Sequence, residues 1–134
     1  MADAVTSTTI VDDDRKAVIQ LTNTSDGTGE AAVVKVDVSA LAVRSSDGAA
    51  CVGCKVSRIN YSTLGMSVKL LWNATTNTVC WDLREHSDDV EFSYMGGLQN
   101  TAAASGKTGD IVLTTTGHSS GDSYVIVLTV IKEY

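Results

Sequence analysis

Proline is absent from this sequence, and aromatic side chains make up only 5% of it, with a single phenylalanine. Without proline no turn is pre-set by a pyrrolidine ring, so Gly, Asn, Asp and Ser must supply the turns. With so few aromatics the core has to be built from Val, Ile, Leu and Ala, and a hydrophobic fraction of 43% provides the material. An excess of basic residues is also lacking: ten Lys and Arg stand against sixteen Asp and Glu, a formal net charge of −6. That excludes the basic footprint expected of a nucleic-acid binder. Charge of this size keeps a surface soluble and suits docking onto a basic one. No apolar run has the length of a membrane-spanning helix, so no membrane partner is expected. The opening Met1-Ala2-Asp3-Ala4-Val5-Thr6-Ser7 has neither a basic nor an apolar region. It therefore reads as lacking a signal peptide, and folding in a cytoplasm is expected. The three cysteines, Cys51, Cys54 and Cys80, are an odd number and a poor disulfide framework. The glycosylation patterns at Asn23, Asn60 and Asn73 read as chance matches in a chain rich in Ser, Thr and Asn.

A sustained 3.6-residue period is missing too; Ser39-Ala40-Leu41-Ala42 offers one helical turn at most. What the chain has instead is period two. Lys16-Ala17-Val18-Ile19-Gln20-Leu21-Thr22 places Ala17, Ile19 and Leu21 on one face, and Val34-Lys35-Val36-Asp37-Val38 alternates apolar with charged residues. Both predict strands with one buried and one wet face. Between them lies a run of turn formers that includes Asp26-Gly27. Ser67-Val68-Lys69-Leu70-Leu71-Trp72 and Thr78-Val79-Cys80-Trp81-Asp82-Leu83 flank a short polar turn and predict a hairpin. Val68, Leu70 and Trp72 share one face, Val79, Trp81 and Leu83 another, and Trp72 and Trp81 are candidates for a cross-strand pair. Val90-Glu91-Phe92-Ser93-Tyr94 alternates, and residues 110–116 are β-prone. Tyr124-Val125-Ile126-Val127-Leu128-Thr129-Val130-Ile131 is apolar on both faces. It predicts a central strand whose two sides are both covered, by the core or by another subunit.

Strands punctuated by turns, with no helical crossovers, predict an all-β fold: an antiparallel β-sandwich or a jelly-roll-like barrel. At 134 residues the chain is one domain in size. Residues 15–134 are expected to form the sandwich and residues 1–14, Thr-rich and weakly patterned, a flexible N-terminal arm. Residues 1–6, 44–50 and 95–109 are expected to be irregular, and the last, Gly-rich stretch is long for a loop.

The candidate chemistry is thin. Cys51-Val52-Gly53-Cys54 has the spacing of half a zinc site, but no second close pair accompanies it, and Cys80, His86 and His118 are scattered. Redox use would want the pair opening a helix. Ser105-Gly106-Lys107-Thr108 ends like a phosphate-binding loop, yet Thr101 stands where that loop needs its first glycine and a β-prone run follows. It reads as a turn into the strand at Ile111. Asp12-Asp13-Asp14 offers clustered carboxylates for a hard cation but lacks EF-hand spacing, and Arg15-Lys16 follows to neutralise it. Glu85, His86, Asp88 and Asp89 are neighbours in a polar stretch with no reason to converge. No nucleophile–base arrangement is favoured, so we expect no enzyme, no cofactor and no metal.

Three stretches carry a resemblance. Asp14-Arg15-Lys16-Ala17-Val18-Ile19-Gln20-Leu21-Thr22-Asn23-Thr24-Ser25-Asp26-Gly27-Thr28-Gly29-Glu30 is similar to small structural proteins of tailed phages, marine and cyanobacterial ones in particular. Gly65-Met66-Ser67-Val68-Lys69-Leu70-Leu71-Trp72 and the stretch 105–118 share that look. The resemblance implies a virion component of a size that suits a capsid decoration, or cement, protein. Such a protein would bind across neighbouring subunits of the major capsid protein on the capsid exterior, with a homotrimer favoured, after assembly in the host cytoplasm. The resemblance transfers no individual residue. The partner-binding candidates come from the arm: Thr8, Thr9, Ile10, Asp12, Asp13 and Asp14, on a segment able to add a strand to a partner's sheet. The alternative is a tail- or fibre-associated adsorption protein that binds host glycans, with Tyr61, Trp72, Trp81 and Tyr94 as possible stacking platforms, although most of these are expected in the core.

Overall fold

The computed structural model describes residues 4–83, 87–102, 105–116 and 119–134. Among them nine strands form two sheets. In chain order they are β1 (Ala4–Asp12), β2 (Lys16–Thr24), β3 (Val33–Val36), β4 (Gly53–Leu64) and β5 (Ser67–Trp72). β6 (Thr78–Leu83), β7 (Ser87–Glu91), β8 (Ile111–Thr116) and β9 (Ser123–Glu133) follow. One sheet has the order β1-β2-β9-β4-β7 and the other β3-β8-β5-β6. All pairings are antiparallel. The sheets do not close into a barrel, so of the two expected forms the chain takes the sandwich. The helical content of the described residues is two 3-10 turns, Val38–Ala40 and Ser93–Met95. In the first, Asp37 caps the backbone N–H of Ser39, as a short acidic side chain at that position does.

The expected apolar faces of β2 and β5 are the buried ones. Ala17, Ile19, Leu21, Val68, Leu70 and Trp72 are all within 3% of full burial. Strand pairing stacks the core in layers. Ile19 lies opposite Leu128, which lies opposite Ile59; Leu21, Ile126 and Tyr61 make the next layer. Each fully buried aliphatic side chain of this kind stabilises the fold by roughly 1.5–3 kcal/mol. The following layer is polar: Asn23, Tyr124 and Thr63 stand side by side and all are buried.

Three expectations about faces give way to bulges or to topology. In β3 the register slips between Val34 and Val36, which leaves Lys35 as the extra residue. The alternation is therefore broken: Val34 is 47% exposed, while the side chain of Lys35 is 5% exposed and faces inward. In β6 the slip falls at Cys80, so Cys80 is buried and Val79 turns out to solvent. That register places Leu70, not Trp72, opposite Trp81. Trp81 packs edge-on against Phe92, with ring centroids 4.9 Å apart. Third, β9 is central, between β2 and β4, but the described residues cover only one of its faces.

The segment 1–14, expected as a flexible arm, contributes β1 instead. Residues 4–12 pair with β2 along its whole length, with one irregularity at Ile10. The strand ends the five-stranded sheet beyond the reach of the four-stranded one, and residues 5–10 are exposed on both faces. A Thr-rich strand suits such a position, because it forms a ladder without needing a core. The stretch 95–109 is also less free than expected. Leu98 bridges Val56, and Gly97 at φ +101° lies so close to Lys55 and Ile131 that a β-carbon there would be tight against both.

Candidate functional site

The outer face of the five-stranded sheet collects most of the exposed features. Residues alternating with the buried layers point outward: Val18, Gln20 and Thr22 on β2, Val125, Val127 and Thr129 on β9, and Arg58, Asn60 and Ser62 on β4. Val125 is 44% exposed and Val127 half-buried. The result is a strip of valine set among hydroxyl and amide side chains. Arg58 pairs with Asp89 across the β7 edge, its Nε donating to Asp89 at 2.8 Å. The guanidinium holds the Asp89 carboxyl below its usual range. On the other edge the hydroxyls of Thr6 and Thr22 are in contact. Thr8 stands opposite Gln20 and Thr9 opposite Ile19, while Ile10, at the irregularity, is 55% exposed.

Asp12, Asp13 and Asp14 do not converge on a common point. One oxygen of Asp12 accepts from Lys132 Nζ at 2.7 Å and the other from the N–H of Ala42 at 2.8 Å. Asp13 accepts from the N–H groups of Lys16 and Arg15, which close its turn and lower its pKa. Asp14 accepts from the hydroxyl and the N–H of Ser45, and its pKa falls for that reason. The carboxylates of Asp12 and Asp14 tie the end of β1 to β9 and to the 42–45 loop, while that of Asp13 closes the turn into β2. Lys132 is the centre of this clasp. Its side chain is fully buried, and Nζ also donates to the carbonyls of Asp13 (2.9 Å) and Ala42 (2.7 Å). Burial pulls its pKa down, but hydrogen bonds to Asp12 and Tyr134 outweigh this and the net shift is upward.

The near-motifs resolve into structure. Cys51, Cys54 and Cys80 are free and buried. Burial pushes the Cys80 thiol up to about 12 and the Cys54 thiol further, so neither is a ready thiolate. Gly106, at φ +68°, lies where a β-carbon would run into Thr75 of the β5–β6 turn. Asn73 accepts through its carbonyl from the N–H of Thr108 and donates through its side chain to the Thr108 hydroxyl. β8 follows where a phosphate-binding loop needs a helix. Among the described residues no group of three or more His, Cys, Asp or Glu is placed to hold a metal. His86, Glu85 and His118 lie outside the described residues.

An open cleft of about 480 Å³ beside the start of β4 is lined in part by Lys55, Asn100, Lys107, Glu133 and Tyr134. Polar groups do meet here. Its thiol, that of Cys54, is held protonated by burial, and the Tyr134 hydroxyl donates to the carbonyl of Asp14 at 2.8 Å. The four aromatic candidates divide: Trp72 and Tyr61 are core, Trp81 is partly buried, and Tyr94 is 83% exposed.

No protein-family model, curated protein or solved structure matches this chain.

A cluster that sequence reasoning missed sits at the polar end of the core. Glu30 was read as part of a turn and Lys35 as solvated. Instead Lys35 Nζ lies 2.5 Å from Glu30 Oε2, with side chains 5% and 6% exposed. Oε1 of Glu30 accepts from Asn23 Nδ2 at 2.7 Å and from the Tyr124 hydroxyl at 2.6 Å. The N–H of Glu30 donates to the Thr115 hydroxyl at 2.9 Å. Gly29 (φ +78°) and Ala32 (φ +51°) turn the backbone on either side. The available signal was weak: one lysine among valines, five residues after a glutamate.

Proposed function

We propose that this chain is a virion structural protein that decorates the exterior of a tailed-phage capsid, binding across neighbouring major capsid subunits as a homo-oligomer, with a trimer favoured. The observation that carries the reading is the outer face of β9. A central strand here presents Val125 and Val127 to solvent on a broad sheet face of Thr, Ser, Asn and Gln. Central strands of this apolarity are normally covered on both sides, and a second protein surface is the cover that fits a polar rim around an apolar strip. The resemblance supplies the identity of that second protein. The mechanism is passive: contact area shared across several shell subunits opposes internal pressure, and engaging several sites at once multiplies affinity. The net charge of −6 favours a basic patch on the shell. β1 offers Thr8, Thr9 and Ile10 on an edge open to a partner's strand. The glycan-binding alternative is less well supplied, since of its four aromatics Tyr94 alone is freely exposed.

The test is binding of the purified chain to expanded capsids that lack it, read by sedimentation and cryo-electron microscopy. Regular density on the shell is expected, and lower occupancy for Val125→Lys/Val127→Glu with an unchanged melting temperature. Deleting residues 2–9, which spares Asp12 and its clasp, should lower occupancy as well. Density on the tail, or full occupancy by the double variant, refutes the reading.

A further inference from the structure

The Glu30 cluster places three groups in an order that has chemical consequences. One carboxylate, 6% exposed, touches a primary amine through one oxygen and a primary carboxamide through the other. Lys35 belongs to β3 of the four-stranded sheet and Asn23 to β2 of the five-stranded one. Asn23 is 2% exposed and Tyr124, which donates to the same carboxylate, is 1% exposed. Water, the competing nucleophile, is largely kept out. Such confinement replaces a bimolecular encounter by an effective concentration of roughly 10⁵ M or more when the reacting atoms are aligned.

We propose that Lys35 and Asn23 join in a self-catalysed isopeptide bond, with Glu30 as the proton carrier. Glu30 Oε2 takes a proton from the Lys35 ammonium. The neutral amine leaves Oε2 and attacks Cγ of Asn23, forming the Nζ–Cγ bond. Glu30 passes its proton to Nδ2, which already lies 2.7 Å from Oε1. The Cγ–Nδ2 bond breaks, and ammonia departs carrying the second proton of the amine, as ammonium. One ammonium and one carboxamide thus give one secondary amide and one ammonium ion, and Glu30 is regenerated. No oxidant, metal or activated donor enters the balance. Tyr124 is a positioning residue: its hydroxyl holds Oε1 in line with Asn23. The bulge at Lys35 is what turns the amine inward to reach this site. The product is a covalent staple between the two sheets, independent of whether the chain decorates a capsid.

Mass spectrometry of the full chain tests this directly. After incubation for days at neutral pH and denaturation, the intact mass should lie about 17 Da below the sequence mass, the loss of one ammonia. Trypsin should then fail to cut after Lys35, giving peptide 17–44 in place of 17–35 and 36–44. Cleavage after Glu30 should leave the two halves of 17–44 joined. Lys35→Arg, which keeps the ion pair, should fold and remain at its own sequence mass, as should Glu30→Gln. An unmodified wild-type chain overturns the proposal. So does a loss of ammonia with Lys35 still cleavable, which marks a succinimide, or ammonia loss that persists in Glu30→Gln together with resistance at Lys35, which removes Glu30 from the chemistry.

Discussion

Replacing Lys132 by methionine isolates the clasp that ties the first strand to the last. Met keeps most of the apolar stem, one atom shorter, but has no donor. Three acceptors then lose Nζ: the carboxylate of Asp12 and the carbonyls of Asp13 and Ala42. Each carbonyl left facing an apolar group costs about 1 kcal/mol here, the low end for an unsatisfied polar group, because Asp13 and Ala42 are themselves exposed and can rehydrate. Asp12 loses its cation but keeps the N–H of Ala42 and is 22% exposed, which adds about 1 kcal/mol. Against this, the variant no longer strips water from an ammonium, which returns part of the loss. The net expectation is destabilisation by about 2–3 kcal/mol. For a domain of this size that lowers the melting temperature by roughly 10 °C. In urea the midpoint should fall with the slope unchanged, since the surface exposed on unfolding is the same. Asp12→Asn should cost less, about 1 kcal/mol, because both carbonyls keep Lys132. A Lys132→Met chain within about 0.5 kcal/mol of wild type would refute the reasoning, for it would mean that dehydrating the ammonium consumes what its three hydrogen bonds supply.

Acid should destabilise the fold in a defined window. Asp13, Asp14, Asp47 and Asp89 all have folded pKa values below 3.8, Asp47 at about 2 because of the Arg44 guanidinium, so their contribution is present above 3.8 and is lost as the pH falls toward the folded values; a melting temperature that stays flat from pH 5 to about 2 contradicts this. At the alkaline end the raised pKa of Lys132 keeps its contribution intact below 10.5 and loses it as the pH climbs through the folded value, a loss that Lys132→Met should not show. Gly109→Ala forces a β-carbon within 2.5 Å of the Val52 carbonyl at φ +84°, whereas Gly48→Ala, at φ +72°, meets nothing within 4 Å. Calorimetry should therefore show about 1 kcal/mol lost at Gly48 and at least about 3 kcal/mol at Gly109, and equal losses would show that the contact is relieved. Cys54 and Cys80 should react with a thiol reagent far more slowly in the native chain than after unfolding, and fast native labelling of either would contradict their burial.

The elements that could be read from the residues are those in which local pattern and tertiary demand agree. β2 and β5 alternate cleanly, and their buried faces are the predicted ones, because each strand buries one face without interruption along its length. β9 was legible as a central strand from its apolarity alone. Strand order was not legible, since β2–β9 and β4–β9 pair residues from 59 to 115 positions apart and nothing local encodes them. β1 was misread for a related reason: a strand held by its ladder alone, with both faces wet, carries no hydrophobic period to detect. The site candidates followed the same division. Asp12, Asp13 and Asp14 were visible as a cluster, but their partners, Lys132, Ser45 and the N–H groups of Arg15 and Lys16, decide what the cluster does.

The bulges mark where period-two reading stops, and the one at Lys35 bears most on function. A strand that followed its sequence pattern would bury Val34 and leave Lys35 in water. The observed arrangement exposes the valine and dehydrates the lysine, which on hydrophobic burial alone is the worse choice by about 2 kcal/mol or more. It holds because one oxygen of Glu30 meets the amine, while Asn23 and Tyr124 donate to the other oxygen and hold the carboxylate in place. Local preference overruled at this expense points to a constraint imposed elsewhere, and chains tend to break such rules where a site is being held. An ion pair serving stability alone could be replaced by well-packed apolar side chains at little loss. A carboxylate gripped between an amine and a carboxamide has a use that an apolar core does not, and the ammonia balance of this chain is where that use becomes measurable.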